Sequence, residues 1–377
     1  MPNLRQAMMG AAGVSTAALH SIYGWGRNDY GYTLGDGTAT NRSSPVQVGG
    51  GQSDWTSLDF QGGQGSGAIN SAGELWMWGE NANGQLGLGD TTDRSLPTQV
   101  GSLTDWAAMS SGPRFTLAVK TDGTLWSWGM NSDGQLGLGD TTSSSSPVQV
   151  GSLTDWSSAA GGFIADSSAS FAIKTDGTLW SWGDKSSGHL GLNDMTSRSS
   201  PTQVGSLTDW AWIHSAQPTC GAVKTDGTLW TWGGASTGQL GNGTDSPDIS
   251  SPIQIGSLTN WSRTNGASTQ LLAIKTDGTL WAWGSGGEGR LGLGDTTNRS
   301  SPTQIGSLTD WDDVNSIQAA GSAIKTDGTL WTWGANSQGE CGNGGTTTTS
   351  SPAQVGSLTD WVDLTGTWQC MFGSRSV

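Results

Sequence analysis

The chain has 377 residues, with 16 Lys and Arg against 31 Asp and Glu, 61 glycines and a net charge of −15. Nucleic-acid binding rests on Lys and Arg displacing condensed counterions, so this charge excludes DNA and RNA as partners, and an anionic membrane surface with them. No run approaches the ~20 apolar residues of a membrane span.

The first segment, "MPNLRQAMMGAAGVSTAALH", has one Arg and a mild apolar stretch rich in Gly and Ala. It faintly resembles a secretory signal. It reads better as a retained leader over residues 1–18, a short helix with Leu4, Met8 and Ala11 or Ala12 on one face. Leu4, Arg5, Met8 and Met9 are its expected anchoring residues.

From residue 19 to 377 the chain repeats itself. "KTDGTLW" recurs unchanged from Lys120, Lys174, Lys224, Lys275 and Lys325, and a worn copy, "NSAGELW", starts at Asn70. Three independent markers count the units. The second Trp of W-x-W-G falls at Trp25, Trp78, Trp128, Trp182, Trp232, Trp283 and Trp333. The proline of S-P-x-Q-V falls at Pro45, Pro97, Pro147, Pro201, Pro252, Pro302 and Pro352. The Trp closing "SLTDW" falls at Trp55, Trp106, Trp156, Trp210, Trp261, Trp311 and Trp361. Repeat units need their neighbours for a core, so these seven units of about 51 residues predict one domain.

Each unit reads as β. "FAIKTDGTLWSWG" is two extended runs around a Thr-Asp-Gly turn, where Gly supplies a positive φ and Asp bonds its own backbone. Period two puts Trp126 and Trp128 on one face and Leu125 with Ser127 on the other. "NSDGQLGLGD" is too rich in Gly for helix, and "SPVQV" fits a sheet edge because of its Pro. About four strands per ~50 residues is the content of a propeller blade. In the first unit, "SIYGWG" has no "AIKTDG" before it; after Trp361 the last unit reaches Arg375, where other units have Lys, and stops. Strands from the two ends therefore complete one shared blade, which removes the open edges of a solenoid.

The stretch "GTLWSWGMNSDGQLGLGDTTSSSSPVQVGSL" (Gly123 to Leu153) closely resembles the repeat of the RCC1 family. That resemblance covers residues 19 to 377 and implies an all-β, seven-bladed propeller. Family members serve as exchange factors, inhibitors, photoreceptors and scaffolds, so fold alone does not fix function. The G-x-x-H-[ST] element of eukaryotic members is absent, and there are three histidines, His20, His189 and His214. The leader "LRQAMMGAAG" resembles the starts of virion-associated repeat proteins of marine tailed phages.

Catalytic patterns fit poorly. The order T-D-G-T-L-W fails the Asp-box spacing of sialidases, and Tyr23, Tyr30 and Tyr32 all lie in the first unit. No Ser or Cys sits in a recognisable elbow. Asp122 and Asp176 read as turn residues, and Asp90 and Asp140 as solvated loop acids without calcium-loop spacing. Cys220, Cys341 and Cys370 lack zinc or disulfide spacing. The 22 tryptophans are absorbed by the repeat except Trp212 and Trp368.

What varies between units follows "DW". Variation on a rigid scaffold is where specificity resides, and aromatics and Arg dominate hot spots. Expected contacts are Arg114, Phe115, Phe163, Asp166, Trp212, His214 and Arg263, with Phe163 to Ser170 forming a protruding loop. The expectation is a non-enzymatic binding propeller without metal or cofactor, on a phage virion as head decoration or tail appendage. Its partners would be other virion proteins or a host surface protein or glycan, in symmetric copies. The alternatives are a soluble bacterial protein-binding or inhibitor module, cytoplasmic or secreted, and a glycan-processing enzyme using Asp166 or Asp312.

Overall fold

Each Thr-Asp-Gly segment turns the chain because its side chains cap it. In the computed structural model, which describes residues 19–58, 65–162, 168–215, 218–267 and 269–377, Asp122 Oδ1 accepts the Thr124 backbone N–H at 2.9 Å and its hydroxyl at 2.7 Å. Thr124 Oγ1 in turn accepts the indole N–H of Trp126 at 2.9 Å. Gly123 has φ +78°, and a Cβ there would lie 2.1 Å from the Thr154 carbonyl oxygen. The same relay recurs at Asp176, Asp226, Asp277 and Asp327. The unchanging spelling of "TDGTLW" is this relay.

Four antiparallel strands make a blade. In the second blade they are Trp106–Ser111, Phe115–Lys120, Leu125–Gly129 and Ser144–Gln149, in that order across the sheet. The strand that starts at the "DW" Trp packs against its counterparts in both neighbouring blades, so it is the innermost. The Pro-bearing strand is the outer edge, where a missing N–H costs no ladder bond.

Five blades are separate four-stranded sheets, and the other two merge into one eight-stranded sheet through the pairing of His20 with Trp55. Seven blades result. The closing blade takes Trp361–Gly366 and Cys370–Ser376 from one end of the chain and His20–Gly26 and Arg42–Gln47 from the other. His20–Gly26 runs antiparallel to Cys370–Ser376, with Ser21 opposite Arg375 and Gly26 opposite Cys370. The ring is closed by shared strands, as the ends of the sequence imply.

The core lies between blades. Phe115, Leu117, Val119, Leu125, Leu136 and Val150 of the second blade pack against Trp156, Ala172 and Trp182 of the third. Each blade thus buries a leucine face on one side and a tryptophan face on the other, which is the outcome of the period-two alternation. A hydrogen bond locks every junction: Trp182 Nε1 donates to the Gln135 carbonyl at 2.9 Å, and Trp25, Trp78, Trp128, Trp232, Trp283 and Trp333 do likewise to their own preceding blade. Gly137 lies flat on that indole; its φ is +73°, and a Cβ would meet Trp182 Nε1 at 2.8 Å. The Gly-Gln-Leu-Gly loop and the Trp of the next blade are one device.

Candidate functional site

Strand direction alternates, so the Thr-Asp-Gly turns and the Ser-Leu-Thr-Asp links share one face of the ring. The tips after the innermost strands and the Gly-rich loops share the other. The first face carries six equivalent exposed leucines, Leu103, Leu153, Leu207, Leu258, Leu308 and Leu358.

Beneath that face, each repeat Lys lies between two indoles. Lys120 Nζ is 5.0 Å from the Trp106 ring and 4.5 Å from the Trp126 ring, and 3.3 Å from the Asp105 carboxylate. A cation held over aromatic faces keeps favourable electrostatics when it leaves water. Lys174, Lys224 and Lys325 repeat this with Asp155, Asp209 and Asp310. In the fifth blade Asn260 replaces the acid, and burial pulls the Lys275 ammonium below its usual range. In the closing blade Arg375 replaces Lys, pairing with Asp360 at 2.7 Å and lying over Tyr23 and Trp361.

The variable segments after "DW" form the innermost strands and the start of the next, and four of the expected contacts lie at blade-to-blade junctions. Phe115 is fully buried, with Gly112 and Gly161 against its ring. His214 is buried, its Nε2 2.6 Å from the Gly266 carbonyl of the next blade. Trp212 is half-buried and donates its indole N–H to the Thr264 carbonyl at 2.7 Å. Arg263 is buried in an ion pair with Asp313, whose other oxygen accepts the Leu364 N–H at 2.8 Å. These side chains stitch blade to blade around the axis, so each needs only to match its neighbour, and a matched pair is free to differ from other pairs. Half-buried Arg114 alone of the described candidates stands at a loop tip. Phe163, Asp166 and the leader residues Leu4, Arg5, Met8 and Met9 lie outside the described residues.

The chemistry-bearing groups are committed to the scaffold. Asp90 and Asp140 accept the N–H of Thr92 and Thr142, both at 2.9 Å, and Asp90 also pairs with Arg94. Burial raises the Asp312 carboxyl, opposed by Arg263. Burial lowers the His189 imidazole to about 3 and raises the Cys341 and Cys370 thiols to about 12. Such thiols are protonated and unreactive at neutral pH. Among the described residues no group of three or more His, Cys, Asp or Glu is arranged to hold a metal ion.

Some residues that leave the repeat pattern were not anticipated as contacts. Tyr30, Tyr32 and Trp368 are exposed, and among the described residues they are the exposed aromatic side chains. All three belong to the closing blade, on the face of the variable tips. The signal was present in the sequence: no other unit has Tyr in its Gly-rich loop, and Trp368 is outside every repeated motif.

The repeat pattern of "Regulator of chromosome condensation (RCC1) repeat" matches residues 72–119, 122–162, 176–222, 226–265, 277–322 and 327–370. The chain belongs to the RCC1-repeat family. It is 30% identical over 284 residues to the ultraviolet-B receptor UVR8 of Arabidopsis thaliana, covering 74% of this chain and 52% of that protein. It is 32% identical over 214 residues to the mitochondrial RCC1 domain-containing protein RUG3 of the same plant, covering 54% and 47%. This RCC1-repeat chain thus spans about half the length of those two relatives. The solved structure of Kap60 bound to yeast RCC1 (Prp20) contains a chain that superposes with a TM-score of 0.85 at 17% identity, over 100% of this chain and 92% of that one. That likeness concerns the fold. The sequence resemblance and the seven-bladed architecture expected from it are both upheld.

Proposed function

We propose that this RCC1-repeat propeller is a non-catalytic binding module for a protein partner. The observation that carries this is the commitment of Asp122 and its counterparts to turns, of His214 to a blade junction and of Asp313 to the axis, which leaves exposed loops and tips as the working surface. Scaffold-held loops are suited to recognition. A protein partner is also what one relative has in its solved structure, where Kap60 is bound to yeast RCC1. The test is cross-linking of the purified chain in its native extract, followed by reconstitution with the captured protein. A stoichiometric complex is expected. Hydrolysis of reporter glycosides by the purified chain, or nucleotide release from a small GTPase in its presence, would refute the non-catalytic part.

The finer reading places the propeller on a phage particle, in symmetric copies, with residues 1–18 docking it and its loops facing a host protein or glycan. It is supported by the "LRQAMMGAAG" leader and by the near-identity of the repeats. Immunogold labelling of a lysate tests it: gold on capsids or tails is expected. Gold confined to soluble or cell fractions overturns it and leaves a bacterial binding module.

A further inference from the structure

Seven nearly equivalent blades offer nearly equivalent loops, and one departs from the rest. Where the other six blades have seven residues with Gly at the fourth and seventh, as in "NSDGQLG" and "KSSGHLG", the closing blade reads "NDYGYTLG", one residue longer and with Tyr32 in place of the first of those glycines. The junction is still made, because the Thr33 carbonyl accepts the Trp78 indole N–H at 3.0 Å in the role of Gln135. Tyr32 stands where the other blades have a positive-φ glycine such as Gly134, its carbonyl accepting the Gly35 N–H at 3.2 Å as that of Gly134 accepts the Gly137 N–H, and its φ of +56° is a left-handed conformation that costs a bulky L-residue energy and that often marks a functional site. Tyr32 and Tyr30 are both pushed into solvent.

The neighbouring tip brings a third ring. Trp368 precedes Gln369, whose backbone carbonyl accepts the Arg27 N–H at 3.0 Å and whose Oε1 accepts Arg27 Nη1 at 2.8 Å. The Arg27 guanidinium also pairs with Asp29 at 2.7 Å and lies 6.0 Å from the Tyr30 ring centroid. One arginine thus ties the Trp368 tip to the tyrosine loop and is itself neutralised. On the other side, Gly31 rests against Glu80 of the next blade, where a Cβ would come within 2.9 Å of the Glu80 Cβ. Glu80 Oε2 is buried there without a hydrogen-bond partner.

We propose that Tyr30, Tyr32 and Trp368, with Asp29 and Glu80 beside them, form a docking patch for a lysine- or arginine-bearing segment of a protein partner. Three features of the molecule select a cation. The chain carries −15 overall, which draws basic partners and repels acidic ones. Exposed Trp and Tyr faces attract ammonium and guanidinium groups. The protein already holds its own cations in this way, with Lys120 over Trp126 and Arg375 over Tyr23. Aromatic residues of this kind also dominate protein interfaces. The proposal rests on the protein-binding reading and names the chemistry of the partner.

The test uses the full chain and a short fluorescent peptide alternating Gly with Lys and Arg, read by anisotropy. Tyr30→Ser with Trp368→Ser should weaken binding about tenfold or more without altering net charge, as expected for loss of aromatic anchors. Leu258→Ser, on the opposite face, should leave it unchanged. Equal affinity for all three proteins would overturn the proposal, as would displacement of the peptide by a neutral oligosaccharide. Nitration of the unsubstituted chain needs no variant: the peptide should protect Tyr30 and Tyr32, and undiminished labelling of both counts against the patch. A chain that ignores the peptide yet forms a stoichiometric complex with a native partner refutes the patch and leaves the binding module standing. Absence of both interactions removes the two together.

Discussion

Replacing Arg263 by Met tests whether the variable inner strands hold the ring together. The Arg263 and Asp313 side chains are 6% and 1% exposed, and they join the fifth blade to the sixth. Asp313 also anchors the Leu364 N–H of the seventh. Removing one member of a buried pair strands the other charge, at a cost of about 3–5 kcal/mol. Unfolding entropy of roughly 2.1 cal/mol/K per residue gives about 0.8 kcal/mol/K for this chain, so Arg263→Met should lower Tm by about 4–6 °C. Scanning calorimetry of the parent, Arg263→Met and Arg263→Met with Asp313→Asn reads this directly. The double variant should lose less than Arg263→Met alone, because no unpaired charge remains buried while the Leu364 N–H keeps an acceptor. A fall of under about 1 °C in the single variant would show that the buried pair does not hold the blades together. A double variant worse than the single one would show the same.

Trp182→Phe should destabilise the second-to-third junction by about 1–3 kcal/mol, since it leaves the Gln135 carbonyl with one donor fewer in a dry interface, and denaturant melts measure this. His189 stands where other blades have Gln85, Gln135 and Gln239, and burial holds its imidazole at about 3. The unfolded chain therefore binds the extra proton between about pH 3 and 6.5, so stability falls as pH drops through that window, by up to about 1.4 kcal/mol per unit. His189→Gln should flatten this slope, and an unchanged pH profile would show that the histidine is not the cause. Asn260→Asp should give Lys275 the acid that Lys120, Lys174, Lys224 and Lys325 have. Because burial depresses the folded pKa of Lys275, its contribution to stability rises as pH climbs from that value toward the unfolded ~10.5. The substitution should reduce that rise, which alkaline melts of both proteins would record.

The repeated words of the chain translated directly into structure because each does a local job. Asp122, Gly123, Thr124 and Trp126 form one relay within five residues, so turn chemistry and period-two alternation sufficed to place them. Ring closure was readable from the phase of the two ends, "SIYGWG" and Arg375, because a half-finished hairpin at each end can be completed by the other. The post-"DW" segments were misplaced for a physical reason. Variability is a property of loops and also of paired interior positions. A sequence shows that Arg263 differs from its counterparts without showing that it faces Asp313, about 50 residues away. His214 and Trp212 had the same ambiguity, since their acceptors are backbone carbonyls of the next blade, and a carbonyl leaves no trace in side-chain spelling.

Near-identical units create a difficulty for recognition, which the patch proposed on the closing blade would resolve. A partner meeting seven equivalent loops would have seven equivalent registers, and specificity requires one register to be better than the others. The W-x-W-G strand, the last Gly of the Gly-rich loop and the Thr-Asp-Gly turn cannot drift far, because each is locked to an adjoining segment or blade. The inner strands drift only in matched pairs, hidden at the axis. The closing blade escapes part of this constraint: its Gly-rich loop and its inner tip come from opposite ends of the chain, and copying one unit onto the next does not reset both together. Tyr32 in place of a glycine, the neighbouring Tyr30 and the unmatched Trp368 are concentrated there. Asymmetry has accumulated at the seam, and on a ring of like blades the asymmetric place is where a single partner can be told where to bind.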